Sequence, residues 1–385
     1  MQLRNPRDLV RIESHDVYLG SPTRLDIYSA GGQMFLARGA TVYRADAVER
    51  LQTEGFKLAQ SHGAAKHPQE PVFLRIGDIA DKLVTFERAL AAGQVVGVFS
   101  LKFRALAQEL IRCCDEDADA ALAQSYLNYH HPYSVLHHIL VAVLVSVLTK
   151  VLGWSGTSRM SLVAAALTHD LGALPLRDSL GQSAPLDAMQ KSLVHQHPTT
   201  GIQLLTQFGV TDALWLQAVQ DHHEHIDGSG YPNGIVVDLQ SASALMTVAD
   251  GFAAMMRPRP YRERRLGGAI IDDLKKYALT RYAPAPIEAI ATYIGVYHAG
   301  SIVRLANGEM AVVTRHRPDR PLAPDLLVLA DPRDRPYEKP HPVDSAAPGF
   351  AITAALAPEV CLRFQTKVNQ SWCAPHTASE FPYPQ

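Results

Sequence analysis

Residues 222–232 read HHEHIDGSGYP. Two adjacent imidazoles and a glutamate stand directly before a turn that Gly228 and Gly230 permit, and Pro232 stiffens its exit. A histidine pair at the end of a helix is usually inert, so its meaning depends on the surrounding chain. Immediately upstream, apolar residues return every three or four positions, and the spacing predicts a helix over 211–224.

The same helical period extends in both directions. It predicts helices over 134–152, 157–170, 185–195, 198–208, 241–256, 266–279 and 285–297, with no alternating strand pattern among them. Pro198 suits a first helical position, while Gly209 and Gly228 suit helix stops. The centre, 127–297, is therefore read as a helical bundle. Residues 66–126 form a helical connector, with apolar repeats from Ile76 to Leu127. Short apolar runs and Gly31-Gly32 mark 1–65 as a small β-rich module, with a short helix over 44–55 and a polar linker at 61–71. After 298, two β-runs around Asn307-Gly308 give a strong hairpin signal, and DLLVLAD adds a strand to this small β subdomain at 298–345. The stretch 346–385, rich in proline and charge, reads as a partly ordered tail. The fold class is mainly α, with small β units before and after the bundle.

Bulk composition excludes several function classes. Hydrophobic residues make up 47% and charged residues 19% of 385, as in ordinary globular chains long enough for two or three units. With 36 basic and 38 acidic residues there is no global field to attract nucleic acid or an anionic membrane. The apolar run ILVAVLVSVL at 139–148 is about half of a bilayer span, and the N-terminus lacks a signal-peptide core. Four cysteines provide neither a disulfide framework nor a metal-finger spacing. These features suggest a soluble protein in a reducing, cytoplasmic compartment. The unusual number is 17 histidines.

Metal-capable residues recur at inward helical positions: His137, His169-Asp170, His197, His222-His223 and Asp250. His137 shares a face with Val141, Leu144 and Leu148, and Asp250 closes a run containing Leu245, Met246 and Val248. Each alone has an ordinary explanation as a satisfied core residue, a cap or a helix start. As a set they would be a cluster of unpaired polar groups, and divalent cations remove that penalty. Asp170 can bridge two ions about 3.5–4 Å apart. His169 would ligate one of them, with His222 and His223 completing the second. Glu224 is a candidate for orienting a ligating imidazole.

HDLG at 169–172, HPTTG at 197–201 and HHEHIDGSGYP at 222–232 resemble the HD-GYP family of the HD phosphohydrolase superfamily. The last motif matches eight of eleven positions. TVADGFAAMM followed by RPRPYR resembles the family's late aspartate helix, and His137 lies sixteen residues before Gly153 in a segment like its opening helix. The resemblance spans roughly 127–330. It implies hydrolysis of the bacterial second messenger cyclic di-GMP to pGpG or GMP, with two ions, iron or manganese. Carried over position by position, His137, His169, Asp170, His197, His222, His223 and Asp250 would be ligands. Tyr231, Arg259 and Arg262 would line the nucleotide's path. The chemistry agrees: water held between two cations ionises near neutral pH, and arginines give bidentate contacts to phosphate.

Three departures qualify this reading. Ala173 stands where the family usually has a phosphate-contacting lysine, Ala244 and Ala253 replace a common arginine and aspartate, and Tyr133 replaces the glutamate that serves a third ion in some members. Two ions are therefore expected. Losing the lysine leaves a second reading, a receptor that binds cyclic di-GMP without turning it over. A third is hydrolysis of another cyclic dinucleotide. A protein partner acting through the N-terminal module and a homodimer remain open, as does whether Arg177 replaces the missing cation.

Overall fold

The computed structural model describes residues 9–12, 17, 23, 25–40, 42, 44–58, 70–94, 99–176, 187–257 and 265–373. At the N-terminal end, β1 (Leu9–Arg11), β2 (Ile27–Tyr28), β3 (Met34–Leu36) and β4 (Phe56–Leu58) form an antiparallel sheet in the order β1-β4-β2-β3. Helix α1 (Ala45–Glu54) covers it around Ile12, Val17, Ile27 and Val42.

Helices α2 (Val72–Ala91) and α3 (Phe99–Leu127) occupy the expected connector, but they do not behave as a linker. Phe73, Ile76, Leu83, Phe99, Phe103 and Leu110 share one hydrophobic core with the central bundle. That bundle comprises α4 (Tyr133–Val151), α5 (Gly156–Ala166), a 3-10 turn (Leu171–Leu176), α6 (Ala188–Gln207), α7 (Ala213–Asp221), α8 (Ala242–Met256), α9 (Gly268–Lys276) and α10 (Pro284–Tyr293). Helix α4 is apolar on every side and buried from Val135 to Thr149, as expected for an element surrounded by others. Its 19 residues, with mean hydropathy 1.9, match the length and composition of a membrane span, although 83% of that window is buried inside the protein.

One expectation is corrected here. The helices expected at 185–195 and 198–208 are one continuous helix, α6, with Pro198 inside it. Its start is a capping box: Asp187 Oδ1 accepts from the Gln190 amide at 2.7 Å, and the Gln190 side chain accepts from the Asp187 amide. Within 346–385, read as a partly ordered tail, the described residues run to Cys373 and include a strand and a helix. Strand β9 (Ile352–Leu356) pairs with β5 (Ile302–Leu305), and α11 (Gln365–Cys373) returns to the core, where Trp372 stacks on Phe73 at 5.7 Å.

The Asn307-Gly308 hairpin joins β5 to β6 (Met310–Arg315). With β7 (Asp325–Ala330) and β8 (Pro336–Asp344) these strands complete an antiparallel sheet, β8-β7-β6-β5-β9. The sheet is tied to the bundle by a bidentate ion pair between Arg315 and Asp117. Asp117 lies at a kink in α3, with φ −156° and ψ 87°.

Candidate metal centre

Three imidazoles are oriented by the same local device. The His169, His197 and His222 Nδ1–H groups donate to the carbonyls of Ala166, Val194 and Val219, three residues earlier, at 2.8, 2.6 and 2.7 Å. Each carbonyl lies where a helical ladder stops. Ala166 ends α5, Val219 lies in the last turn of α7, and Val194 would otherwise bond to the amide that Pro198 lacks. The His-Pro pair in HPTTG thus exchanges one backbone bond for a fixed ring. With the proton on Nδ1, every Nε2 lone pair points inward.

The inward groups converge on two carboxylates whose oxygens divide the site. Asp170 Oδ1 lies 3.1 Å from His197 Nε2 and 3.8 Å from His222 Nε2. Its Oδ2 lies 3.5 Å from His169 Nε2 and 3.9 Å from His137 Nε2. Asp250 Oδ1 accepts from His137 Nε2 at 2.8 Å and lies 3.9 Å from His169, while its Oδ2 is 3.7 Å from His223 Nδ1. All seven residues expected to form the cluster therefore meet. Asp170, His197, His222 and His223 make one group able to hold an ion, and His137, His169 and Asp170 make another.

The donor chemistry fits divalent cations. His197 Nε2 and His222 Nε2 face each other at 3.1 Å, and both rings already have their proton on the opposite nitrogen. Two lone pairs in that position repel unless a cation or a proton lies against them. His169 Nε2 is buried without a hydrogen-bond partner. An orphaned buried nitrogen beside carboxylate oxygens is unusual in a folded protein.

Electrostatics keep both carboxylates ionised and His169 and His223 neutral. Burial favours protonation of Asp170, but His169, His197 and His222 outweigh it and hold its pKa well below the carboxylate range. Asp250 is lowered in the same way, burial being outweighed by His137, His223 and His169. Burial pushes His169 down to about 3 and His223 well below its ordinary value. His197 is the exception. Burial lowers its pKa, but the hydrogen bond and charge of Asp170 raise it by more.

Two glycines allow the backbones to meet. A Cβ on Gly172, directly after the His-Asp pair, would lie 2.1 Å from the His197 carbonyl oxygen. One on Gly230 would lie 2.4 Å from that of His223. The turn folds back so that the Tyr231 amide donates to the His223 carbonyl at 3.1 Å.

Glu224 does not meet the imidazole-orienting expectation. It is buried, and its carboxylate accepts from the Asn233, Gly234 and Ile235 amides at 2.6, 3.1 and 3.1 Å, so it holds the turn. The Thr247 hydroxyl donates to the His222 carbonyl at 2.9 Å, joining the Asp250 helix to this segment. Tyr231 lies at the site, its ring 4.6 Å from that of His223. Arg177, Arg259 and Arg262 lie outside the described residues. Sequence reasoning missed His195, whose ring stacks on Tyr231 at 4.4 Å. The only available signal was its position on the same helix, two residues before His197.

Comparison with known proteins agrees with this architecture. The family profile of the HD domain matches residues 120–285. A cyclic di-GMP phosphodiesterase of Pseudomonas aeruginosa is 27% identical over 219 residues, 56% of this chain and 53% of that protein. The cyclic di-GMP phosphodiesterase response regulator RpfG of Xanthomonas campestris is 35% identical over 121 residues, 29% of this chain and 30% of that protein. The 3'3'-cGAMP-specific phosphodiesterase 3 of Vibrio cholerae is 34% identical over 133 residues, 34% of this chain and 29% of that protein. The chain thus spans about half the length of the first relative and less of the other two. Among solved structures, an HDG"Y"P protein from Bdellovibrio bacteriovorus shares the fold, with a TM-score of 0.50 and 16% identity over 74% of this chain and 98% of that one.

Proposed function

The chain belongs to the HD-GYP family of HD-domain proteins, and from that premise we propose that it is a metal-dependent phosphodiesterase cleaving cyclic di-GMP. The carrying observation is the division of the Asp170 carboxylate, with Oδ1 toward His197 and His222 and Oδ2 toward His137 and His169. A carboxylate with nitrogen donors on both oxygens suits a bridge between two cations.

In this reading His137, His169, Asp170 and Asp250 hold one ion, and His197, His222, His223 and Asp170 hold the other. Nitrogen and oxygen donors without thiolate suit iron or manganese. Such ions supply Lewis-acid polarisation of a phosphate oxygen and acidify water near neutral pH. The chain's own part is to fix the donors before substrate arrives. Nδ1 bonds to backbone carbonyls set three rings, and the Glu224-held turn carries Tyr231 to the rim. Neutral His169 and His223 remain available as donors through the physiological range. The products are pGpG or GMP. Buried free Cys113, Cys114 and Cys373 support a reducing, cytoplasmic location.

A second reading, a receptor that binds cyclic di-GMP without turnover, is favoured by Ala173. This residue lies three positions beyond Asp170 in the 3-10 turn, where the family usually supplies a lysine, and its amide donates to the Asp170 carbonyl at 2.8 Å. One experiment separates the two. Purify the chain anaerobically, measure iron and manganese, and follow cyclic di-GMP by chromatography beside Asp170→Ala. Two ions per chain and product formation abolished in the variant support hydrolysis. Tight nucleotide binding with no product after long incubation supports the receptor. A preparation without transition metal ends both.

A further inference from the structure

The Tyr231 ring is covered on both faces. His195 stacks on it at 4.4 Å with a 25° interplanar angle, and His223 lies against it at 4.6 Å and 32°. His197 meets it edge-on at 6.4 Å and 75°. A tyrosine enclosed in this way has no open face for a nucleobase, although the sequence placed it on the nucleotide's path. The row of rings ends one residue later, at His195. That imidazole is exposed, and among the described residues Tyr231 is the one ring it meets.

We infer that His195 is the nucleobase platform of this site, its outer face taking a purine of the bound cyclic dinucleotide. The inference rests on the phosphodiesterase reading above and adds the residue that receives the base. Three observations carry it. The platform is braced from behind, since Tyr231 fixes the ring and His223 fixes Tyr231. It belongs to the rim, since two ring-to-ring steps of 4.4 and 4.6 Å connect it to His223 in the donor cluster. That separation is comparable with the reach from a base across its ribose to a phosphate. Finally, flat stacking on a π-face accepts any purine, because it does not read the hydrogen-bonding edge. His195 therefore contributes affinity for guanine and adenine alike, and any choice between them arises elsewhere.

The test uses the metal-loaded full chain and three variants, His195→Ala, His195→Phe and His195→Trp. Metal content is measured in each, because His197 is close by on the same helix. Steady-state kinetics are followed with cyclic di-GMP, with 3'3'-cGAMP, and with methyl p-nitrophenyl phosphate, a diester that carries no nucleobase. The expected result is a KM for both cyclic dinucleotides raised about tenfold in His195→Ala. Its kcat and metal content stay within about twofold of the parent, and His195→Phe returns KM to within about threefold. Hydrolysis of the base-free diester is unchanged throughout, and the emission that His195→Trp adds is quenched by saturating cyclic di-GMP. If turnover is absent, the same comparison is read as Kd.

An unchanged dinucleotide KM in His195→Ala, equal losses on all three substrates, or an added emission that nucleotide does not alter each overturns the inference while the phosphodiesterase reading stands. Failure of the parent protein to bind or cleave any purine cyclic dinucleotide is a different result. It appears before any variant is made and removes the substrate assignment together with the platform.

Discussion

His197 Nε2 and His222 Nε2 stand 3.1 Å apart, and both rings have already committed their Nδ1 protons to backbone carbonyls. In the metal-free protein a proton is the available substitute for a cation. The raised pKa of His197, held up against burial by Asp170, identifies where that proton resides.

Metal affinity should consequently fall in acid. Because the metal-free pKa of His197 lies above 6.5, the competing proton is present below that pKa and leaves as pH rises through it. Isothermal titration of the metal-free chain with Mn²⁺ is expected to give a Kd about tenfold weaker for each pH unit below this pKa, with close to one proton released per ion bound. A Kd that does not change between pH 6 and 8 would contradict the orientation assigned to the two rings.

Removing Glu224 should loosen the turn and leave the metal in place. Three amides of a solvent-exposed turn lose a charged acceptor in Glu224→Ala, and water replaces part of each bond, whose worth is on the order of 0.5–3 kcal/mol. We expect roughly 2 kcal/mol lower stability in urea, new protease cleavage within 226–237, and a raised KM, with metal content near the parent's. Glu224→Gln, which retains one carbonyl oxygen for Asn233 and Gly234, should lose less than Ala. Parallel loss of metal in both variants would indicate that the carboxylate serves the imidazoles after all.

Ala173→Lys reports whether a missing cation limits turnover. Position 173 is buried to 9% exposure, one short turn beyond Asp170. A lysine that reaches phosphate from there is expected to raise kcat, toward the gain of about 10²–10³-fold associated with such positioned groups. A variant that folds and holds metal but gains no rate would show that the site already compensates or that it serves binding alone.

Asp119 predicts a pH effect on stability away from the metal centre. Burial pushes its carboxyl up to about 7 despite Arg315, with Asp117 adding to the rise. The folded pKa exceeds the unfolded one, so this residue's contribution is fully present below about 4 and is lost as pH rises through 7. Asp119→Asn, which keeps an oxygen for the His316 amide, should remove that slope. Urea unfolding is expected to show the variant gaining on the parent between pH 5 and 8, by about 2–3 kcal/mol. A difference that does not change with pH would refute this.

The parts of the centre that could be read from the chain are those that violate helical patterning. His137, His169, Asp170, His197, His222, His223 and Asp250 are polar groups at apolar positions of predicted helices, so a single sequence displays them. Glu224 was misread because its partners are amides nine to eleven residues further on, brought back by a turn whose closure no periodicity encodes. His195 was missed for the opposite reason, since an exposed histidine on an exposed helix face breaks no pattern. The break expected at Pro198 followed a general rule that His197 circumvents by bonding the released carbonyl. Strand β9 was hidden by composition: 346–385 is rich in proline and charge, yet Ile352–Leu356 pairs with β5 along the sheet's edge.

The shared core has a practical consequence for dissecting the molecule. Phe73 on α2 and Trp372 on α11 stack on each other, and both belong to the same buried cluster as Leu140 and Val248. Trimming the gene to the recognisable HD-domain segment would strip α2 from the helix that carries His137, and with it α11, which packs on α2. Such a fragment would be judged dead for lack of solubility, whatever chemistry the intact chain performs.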